Sequence, residues 1–344
     1  MTARGTYTRE EITSQPEAWM QAIAVLNEHY QALREFSRAV AIQQVLFTGC
    51  GSTYYLSLGA AAMFQEMTGI SARALPASEV WLSPQSSISA TPTILIAISR
   101  SGETSETVKA CEAYSTREDG KIITLVCQPG STLTRMGMVN LVFPSGMEKS
   151  IAQTRAFSTL YLGATGLSMA WTVGGEQLAC LDTLPSIASR IIRDFWSKAA
   201  EYGQNLGFDR IYFLGSGGRF GLACELNLKM KEMSLTHSEA FHFMEFRHGP
   251  KAMVNEKTLI VGLVSKSNAF YENAVLSDMR ELGAEIVTMG ENNADVSFNS
   301  GLEEVRRNVL YLPFGQMMAY ERALAKNLDP DRPHNLDPVV KLAK

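Results

Sequence analysis

The segment from Glu225 to Lys251 concentrates groups that can move protons, among them Glu225, Lys229, Glu232, His237, His242 and His248. Lys229 and Glu232 are three apart, so on a helix they share a face and can act on one ligand. His248 precedes Gly249-Pro250, a pair that ends a helix and leaves the imidazole on a loop. A carboxylate and a histidine near a bound sugar are what shuttling a proton between adjacent carbons requires. The same residues also fit an ordinary amphipathic helix with surface ion pairs. Three histidines within twelve residues raise the question of a metal, but no His-Glu-x-x-His or similar spacing occurs. No metal is expected.

A substrate must also be held, and two hydroxyl-rich loops offer the means to hold an anion. Thr48-Gly49-Cys50-Gly51-Ser52-Thr53 follows the apolar run Val45-Leu46-Phe47 and precedes a helical stretch from Tyr54 to Met67. Ser99-Arg100-Ser101-Gly102-Glu103-Thr104 follows Ile94 to Ile98 and leads into a helix with Ser105 and Thr107. Glycines let the backbone approach an anion, hydroxyls donate to it, and a helix start favours negative charge. Either loop alone reads equally well as a set of helix N-caps. On consecutive strand ends, the two together favour a shared phosphate. Neither is a Walker loop, and Gly215-Ser216-Gly217-Gly218-Arg219-Phe220-Gly221 is only a weak dinucleotide fingerprint. It is better explained as the second copy of the Gly49 loop. Ser265-Lys266-Ser267-Asn268 is the counterpart of the Ser99 loop without its glycine, so one good phosphate site per chain is expected.

Strands must carry these loops. Val45 to Phe47, Ile94 to Ile98, Ile122 to Val126 and Leu141 to Phe143 read as short buried strands. The series recurs as Ile211 to Leu214, Leu259 to Val264, Ile286 to Met289 and Val309 to Leu312. Gly49 and Gly215 are 166 apart, Ile94 and Leu259 165, and Ile122 and Ile286 164, a nearly constant offset that marks an internal duplication. Strands alternating with helices imply βαβ crossovers, so each half is expected to be a doubly wound parallel α/β unit with ligands beyond the carboxyl ends of its strands.

Composition narrows the partners. A chain of 344 residues, 46% hydrophobic and 19% charged, is globular, and a formal charge of −4 offers no basic excess for nucleic acid. Cys50, Cys111, Cys127, Cys180 and Cys224 are odd in number and scattered, which fits reduced thiols of a cytoplasmic protein. No apolar signal-peptide core follows Met1. The charge-free stretch Ala156 to Gly175 carries too many Ser, Thr and Gly for a membrane span and reads as a buried helix between the two halves.

Leu228-Lys229-Met230-Lys231-Glu232, His237-Ser238-Glu239-Ala240-Phe241 and Glu245-Phe246-Arg247-His248-Gly249-Pro250, together with the two loops, resemble the sugar isomerase (SIS) family. Within it, the chain is similar to the isomerase half of glucosamine-6-phosphate synthase and to SIS-type glucosamine-6-phosphate deaminases. It is also similar to the tagatose-6-phosphate isomerase/galactosamine-6-phosphate deaminase group, whose opening resembles Gly5 to Ile12 and Gln15 to Trp19. The resemblance covers nearly the whole chain and implies two tandem flavodoxin-like SIS domains. It implies boundaries at 1–36 for a helical extension, 37–175 for the first domain, 176–205 for a linker, 206–330 for the second domain and 331–344 for a tail near the active site.

Carried over by position, the resemblance assigns phosphate binding to the Cys50-Gly51-Ser52-Thr53 turn and to Ser99, Ser101 and Thr104. It assigns proton transfer to Glu232 with Lys229 one turn earlier, and ring opening to His248, which in the family can come from a neighbouring subunit of a dimer. Arg100 stands where the synthases have glutamine, another likeness to the deaminases. The synthase-type tail Asn-Leu-Ala-Lys reads Asn335-Leu336-Asp337-Pro338 here, so the lysine is a proline and Lys341 and Lys344 are the candidates left to replace it. A glutamine-dependent synthase would need a nucleophilic cysteine after Met1, where this chain has Thr2. The expected activity is therefore a hexosamine-6-phosphate deaminase or aldose–ketose isomerase without cofactor, yielding a ketose phosphate and ammonia. A ketosamine-phosphate deglycase, a plain phosphosugar isomerase and a non-catalytic sugar-phosphate sensor remain as alternatives.

Overall fold

The computed structural model describes residues 3–117, 120–173 and 178–342. Helices α1 (Thr6–Thr13) and α2 (Gln15–Ala39) come first. They lead into β1 (Gln44–Gly49), α3 (Ser52–Thr68), β2 (Ser71–Pro76), α4 (Ala77–Leu82), α5 (Pro84–Ser87) and β3 (Thr93–Ser99). This half continues with α6 (Ser105–Ser115), β4 (Lys121–Val126), β5 (Val139–Val142) and α7 (Arg155–Trp171). After α8 (Leu184–Gln204) come β6 (Arg210–Leu214), α9 (Gly218–Ser234), β7 (Ser238–Phe241), β8 (Thr258–Leu263) and α10 (Ala269–Glu281). The described elements end with β9 (Glu285–Gly290), β10 (Val296–Ser297), α11 (Glu304–Arg307) and α12 (Leu312–Ala325).

The strands form two five-stranded parallel sheets, ordered β2-β1-β3-β4-β5 and β10-β9-β8-β6-β7. Replacing each strand by its counterpart turns one order into the other, so the duplicated sequence is a duplicated flavodoxin-like topology. Among the described residues, one compact unit draws on Glu17–Glu148, Arg155–Asp182 and Asp337–Lys344, and carries the first sheet. The other draws on Met1–Pro16, Lys149–Thr154 and Thr183–Leu336, and carries the second.

Central strands covered on both faces need continuous apolar runs. All seven residues of β3 and all six of β8 are buried. One face of the first sheet packs Leu46, Leu95 and Val126 against Ala110, Cys111 and Tyr114 of α6. The second sheet packs Tyr212 and Ile260 against Val275, Leu276 and Met279 of α10. Helix α7 is buried from Ala156 to Trp171, and its glycines admit large neighbours: a Cβ at Gly163 would lie 2.6 Å from Phe143, and one at Gly166 2.6 Å from Leu26. Close packing, not lipid, explains its lack of charge. No helix among the described residues is long and apolar enough to cross a membrane.

The strand expected at Val309 to Leu312 is instead a 3-10 turn, Asn308–Tyr311, running into α12. Pro313 supplies the reason, since proline fits the first turn of a helix and interrupts a central strand. The last strand of the second sheet is the two-residue β10.

Candidate active site

The first loop is built around glycines. Gly51 adopts φ 54°, ψ −121°, a conformation that L side chains rarely take, and a Cβ at Gly49 would lie 2.6 Å from Thr53 Oγ1 and 2.7 Å from its carbonyl carbon. The Thr53 hydroxyl accepts the Cys50 N–H at 2.9 Å and donates to the Cys50 carbonyl at 3.0 Å, so it holds the turn closed. Ser52 opens α3 and is buried beside it. Burial pushes the Cys50 thiol up to about 11, against the opposing hydrogen bond with Thr107. Cys50 therefore contributes here as a neutral thiol.

The second loop leaves β3 at Ser99, whose Oγ accepts the Gly102 N–H at 3.0 Å and pairs with Thr104 Oγ1 at 3.3 Å. Ser101 Oγ accepts the Glu103 N–H at 3.1 Å. The loop is pinned from below by Cys127 and Gln128, whose N–H groups donate to the Arg100 carbonyl, and from the side by Glu103, whose carboxylate accepts the Thr132 N–H and hydroxyl. Gly102 lies at φ 64° against Ser131, where a Cβ would overlap the serine side chain. The result is a fixed serine turn at the start of α6.

The Arg100 side chain pairs with Glu148 at 3.3 Å and donates to the Pro338 carbonyl at 3.2 Å. It thus ties the loop to the tail of its own unit. That tail passes along α6, where the Ser105 N–H donates to the Val340 carbonyl and the Leu342 N–H donates to Ser105 Oγ. Lys341 lies between these contacts and is exposed, while Lys344 is outside the described residues.

In the other unit, α9 carries a chain of charges. Lys229 has no exposed surface; its ammonium is 3.1 Å from Glu225 and bonded to Glu232. Burial pulls the lysine down, but the two carboxylates outweigh it and hold its pKa above the ordinary value, so Lys229 stays a cation. Glu225 is as buried as Lys229, whereas Glu232 keeps 12% of its side chain exposed. The carboxylate that sequence reasoning picked for proton transfer is therefore the accessible end of a buried Glu225–Lys229–Glu232 series. Glu225 had no assigned role, although its four-residue spacing from Lys229 predicts the contact.

His248 follows the 3-10 turn Glu245–Arg247, donates its N–H to the Glu245 carbonyl at 2.9 Å and is exposed. Gly249 at φ 116° turns the chain after it. His242 stacks on Phe220 with ring centroids 3.9 Å apart, and burial lowers its pKa despite Glu245 nearby. Among the described residues no group of His, Cys, Asp or Glu could hold a metal.

Two flavodoxin-like halves in tandem, each with a glycine turn and a serine turn after its strands, define a class of duplicated α/β proteins. A family model of the SIS domain matches residues 41–165 and 208–297, more than half of the chain, and the protein belongs to that family. It is 28% identical to glutamine–fructose-6-phosphate aminotransferase (isomerizing) of Aeropyrum pernix, over 96% of this chain and 56% of that protein. The Pyrobaculum aerophilum protein of the same name is 29% identical, over 99% and 58%. The chain thus spans a little over half the length of these curated relatives. Glucosamine-6-phosphate deaminase of Thermotoga maritima is a similar solved structure, with a TM-score of 0.80 and 26% identity over 98% of this chain and 100% of that one. Tagatose-6-phosphate ketose/aldose isomerase of Escherichia coli shares the fold, with a TM-score of 0.86 and 22% identity over 100% and 98%.

Proposed function

We propose that the chain is a hexosamine-6-phosphate deaminase and aldose–ketose isomerase. The observation that carries this reading is the state of Glu232: one carboxylate, bound by a buried lysine yet open to solvent, at a position where the SIS resemblance expects a proton carrier. The whole-length similarity to a protein named glucosamine-6-phosphate deaminase supports ammonia release as its outcome.

In this reading the Ser52–Thr53 turn and the Ser99–Thr104 loop hold the phosphate. His248 assists ring opening by exchanging a proton with the ring oxygen and the C1 hydroxyl. Glu232 removes the C2 proton from the open aldehyde form and returns it to C1, while a proton passes from the amino nitrogen to the C1 oxygen, which converts the aminoaldose to a C2 imine with a C1 hydroxyl. Water adds to that carbon, ammonia departs and a ketose 6-phosphate remains. Lys229 holds Glu232 in place as a base, the task a positioned carboxylate can perform with about a 10²–10⁴-fold gain. The reading also makes the protein a homodimer in which His248 serves a neighbouring subunit's site.

The test is turnover of glucosamine 6-phosphate and galactosamine 6-phosphate, following ammonia and ketose phosphate together. Equal amounts of the two products support deamination. Ketose formation without ammonia from a neutral aldose 6-phosphate, with no turnover of either aminosugar, would replace it by plain isomerisation.

A further inference from the structure

The duplication pairs each residue of the first-half loops with one of the second half. Gly217 has the same unusual backbone as Gly51, φ 58°, ψ −136° against φ 54°, ψ −121°. The Asn268 N–H donates to Ser265 Oγ at 2.7 Å, as the Gly102 N–H does to Ser99 Oγ at 3.0 Å. The second half has kept the serine-anchored turn at the end of its own central strand.

Its contents differ. Arg219 stands where Thr53 stands: the Thr53 N–H closes its turn on the Cys50 carbonyl at 3.1 Å, and the Arg219 N–H on the Ser216 carbonyl at 3.2 Å. The Arg219 guanidinium is buried and bound by Glu304 and, at 2.9 Å, by Glu272. Glu304 also accepts the Lys266 N–H at 2.8 Å and the Ser267 N–H at 3.4 Å, while Glu272 accepts the Ser265 N–H at 2.6 Å. Lys266 and Ser267 are the counterparts of Arg100 and Ser101. Successive backbone amides at a helix start, closed by a guanidinium, are the donor set that a phosphate receives. Here a side chain of the same protein receives it.

We propose that Glu304 is a built-in surrogate for a phosphate group, occupying the second copy of the anion loop. The copy is closed to free anions, and its Arg219–Glu304 pair holds α11 on the loop instead. Ser265 and Lys266 also line a cavity of about 260 Å³ with Asn273, Thr288 and Glu291, so this side of the loop faces open space. The inference rests on the phosphate reading of the Ser99 loop only for the number of anions bound by the native chain.

Equilibrium dialysis of the full chain with labelled inorganic phosphate tests it. The Glu304→Ala variant should bind one phosphate per chain more than the native protein, and the gain should persist when Ser99 and Ser101 are both alanine. Adding Arg219→Ala should weaken the gained site about tenfold or more, as loss of a charged hydrogen bond requires. No gain in Glu304→Ala, or a gain indifferent to Arg219→Ala, would overturn the proposal. A native chain that binds none, beside a variant that binds one, would sustain the surrogate and sink the Ser99 assignment. If Glu304→Ala does not fold in phosphate-free buffer, recovery of its native circular dichroism in phosphate but not in chloride of equal ionic strength supports the proposal, and no recovery overturns it.

Discussion

Lys229, with no surface of its own in solvent, bonds Glu232, whose carboxylate keeps a window to it. The pair divides the work between a group that is held and a group that can meet a substrate. Glu232→Gln is therefore expected to keep the fold and substrate affinity while kcat falls by about 10²–10⁴-fold, since the amide cannot take a proton. A kcat near the native value would remove Glu232 from the mechanism.

Lys229→Met should act on stability first. It leaves Glu225 buried beside a second carboxylate with no cation between them, and breaking a buried pair in this way costs about 3–5 kcal/mol. Denaturant unfolding measures the loss. A variant as stable as the native protein would show that the ammonium does not hold the two carboxylates together.

Ser99→Ala and Ser101→Ala are expected to raise KM for the sugar phosphate and the inhibition constant of inorganic phosphate in parallel, each by about 1.5–3 kcal/mol for a charged hydrogen bond. Ser99→Ala carries an added effect, because Ser99 Oγ also anchors the Gly102 N–H. Unchanged constants in both variants would remove the loop from phosphate binding.

His248→Asn should slow turnover of the closed ring more than of an open-chain analogue, because only the former needs ring opening. Mixing His248→Asn with Glu232→Gln subunits should restore activity if each site combines residues from two chains. Equal loss on both substrates would remove the ring-opening role, and a verified heterodimer without activity would assign both residues to one chain.

Stability should fall in alkali. Burial pushes Cys50 up to about 11 and Cys111 and Cys224 up to about 12, from the 9.0 of a free thiol. Between these limits the unfolded chain loses thiol protons that the folded chain keeps, so their contribution is intact below pH 9 and is lost as pH rises toward 11 and 12. Thermal midpoints should decline above pH 9, less steeply in Cys50→Ser. A midpoint constant up to pH 11 would contradict the protected thiols.

The central strands could be read from residue types because Ile94 to Ile98 and Leu259 to Val264 are unbroken apolar runs rich in β-branched residues, as strands of a doubly covered sheet require. The edge strands β2 and β7 could not: Ser71–Pro76 carries Arg73 and a proline, and Ser238–Phe241 is a buried serine followed by three half-buried residues, one of them a glutamate. Val309 to Leu312 failed for another reason, since four apolar residues suit a strand or a buried turn equally. At the site, helical spacing made the Lys229–Glu232 contact legible. Glu304 was not, because it lies 85 residues from Arg219 and meets it only through the fold.

The paired glycines at the strand ends have a consequence for mutational scanning. A Cβ at Gly215 would lie 2.5 Å from the Arg219 carbonyl oxygen, much as one at Gly49 would strike Thr53. Both positions should therefore reject side chains, although only one copy is assigned a substrate. The duplicated half thus supplies an internal control: positions intolerant in both copies report architecture, while those intolerant at Ser99 or Ser101 but permissive at Ser265 or Ser267 report selection for activity.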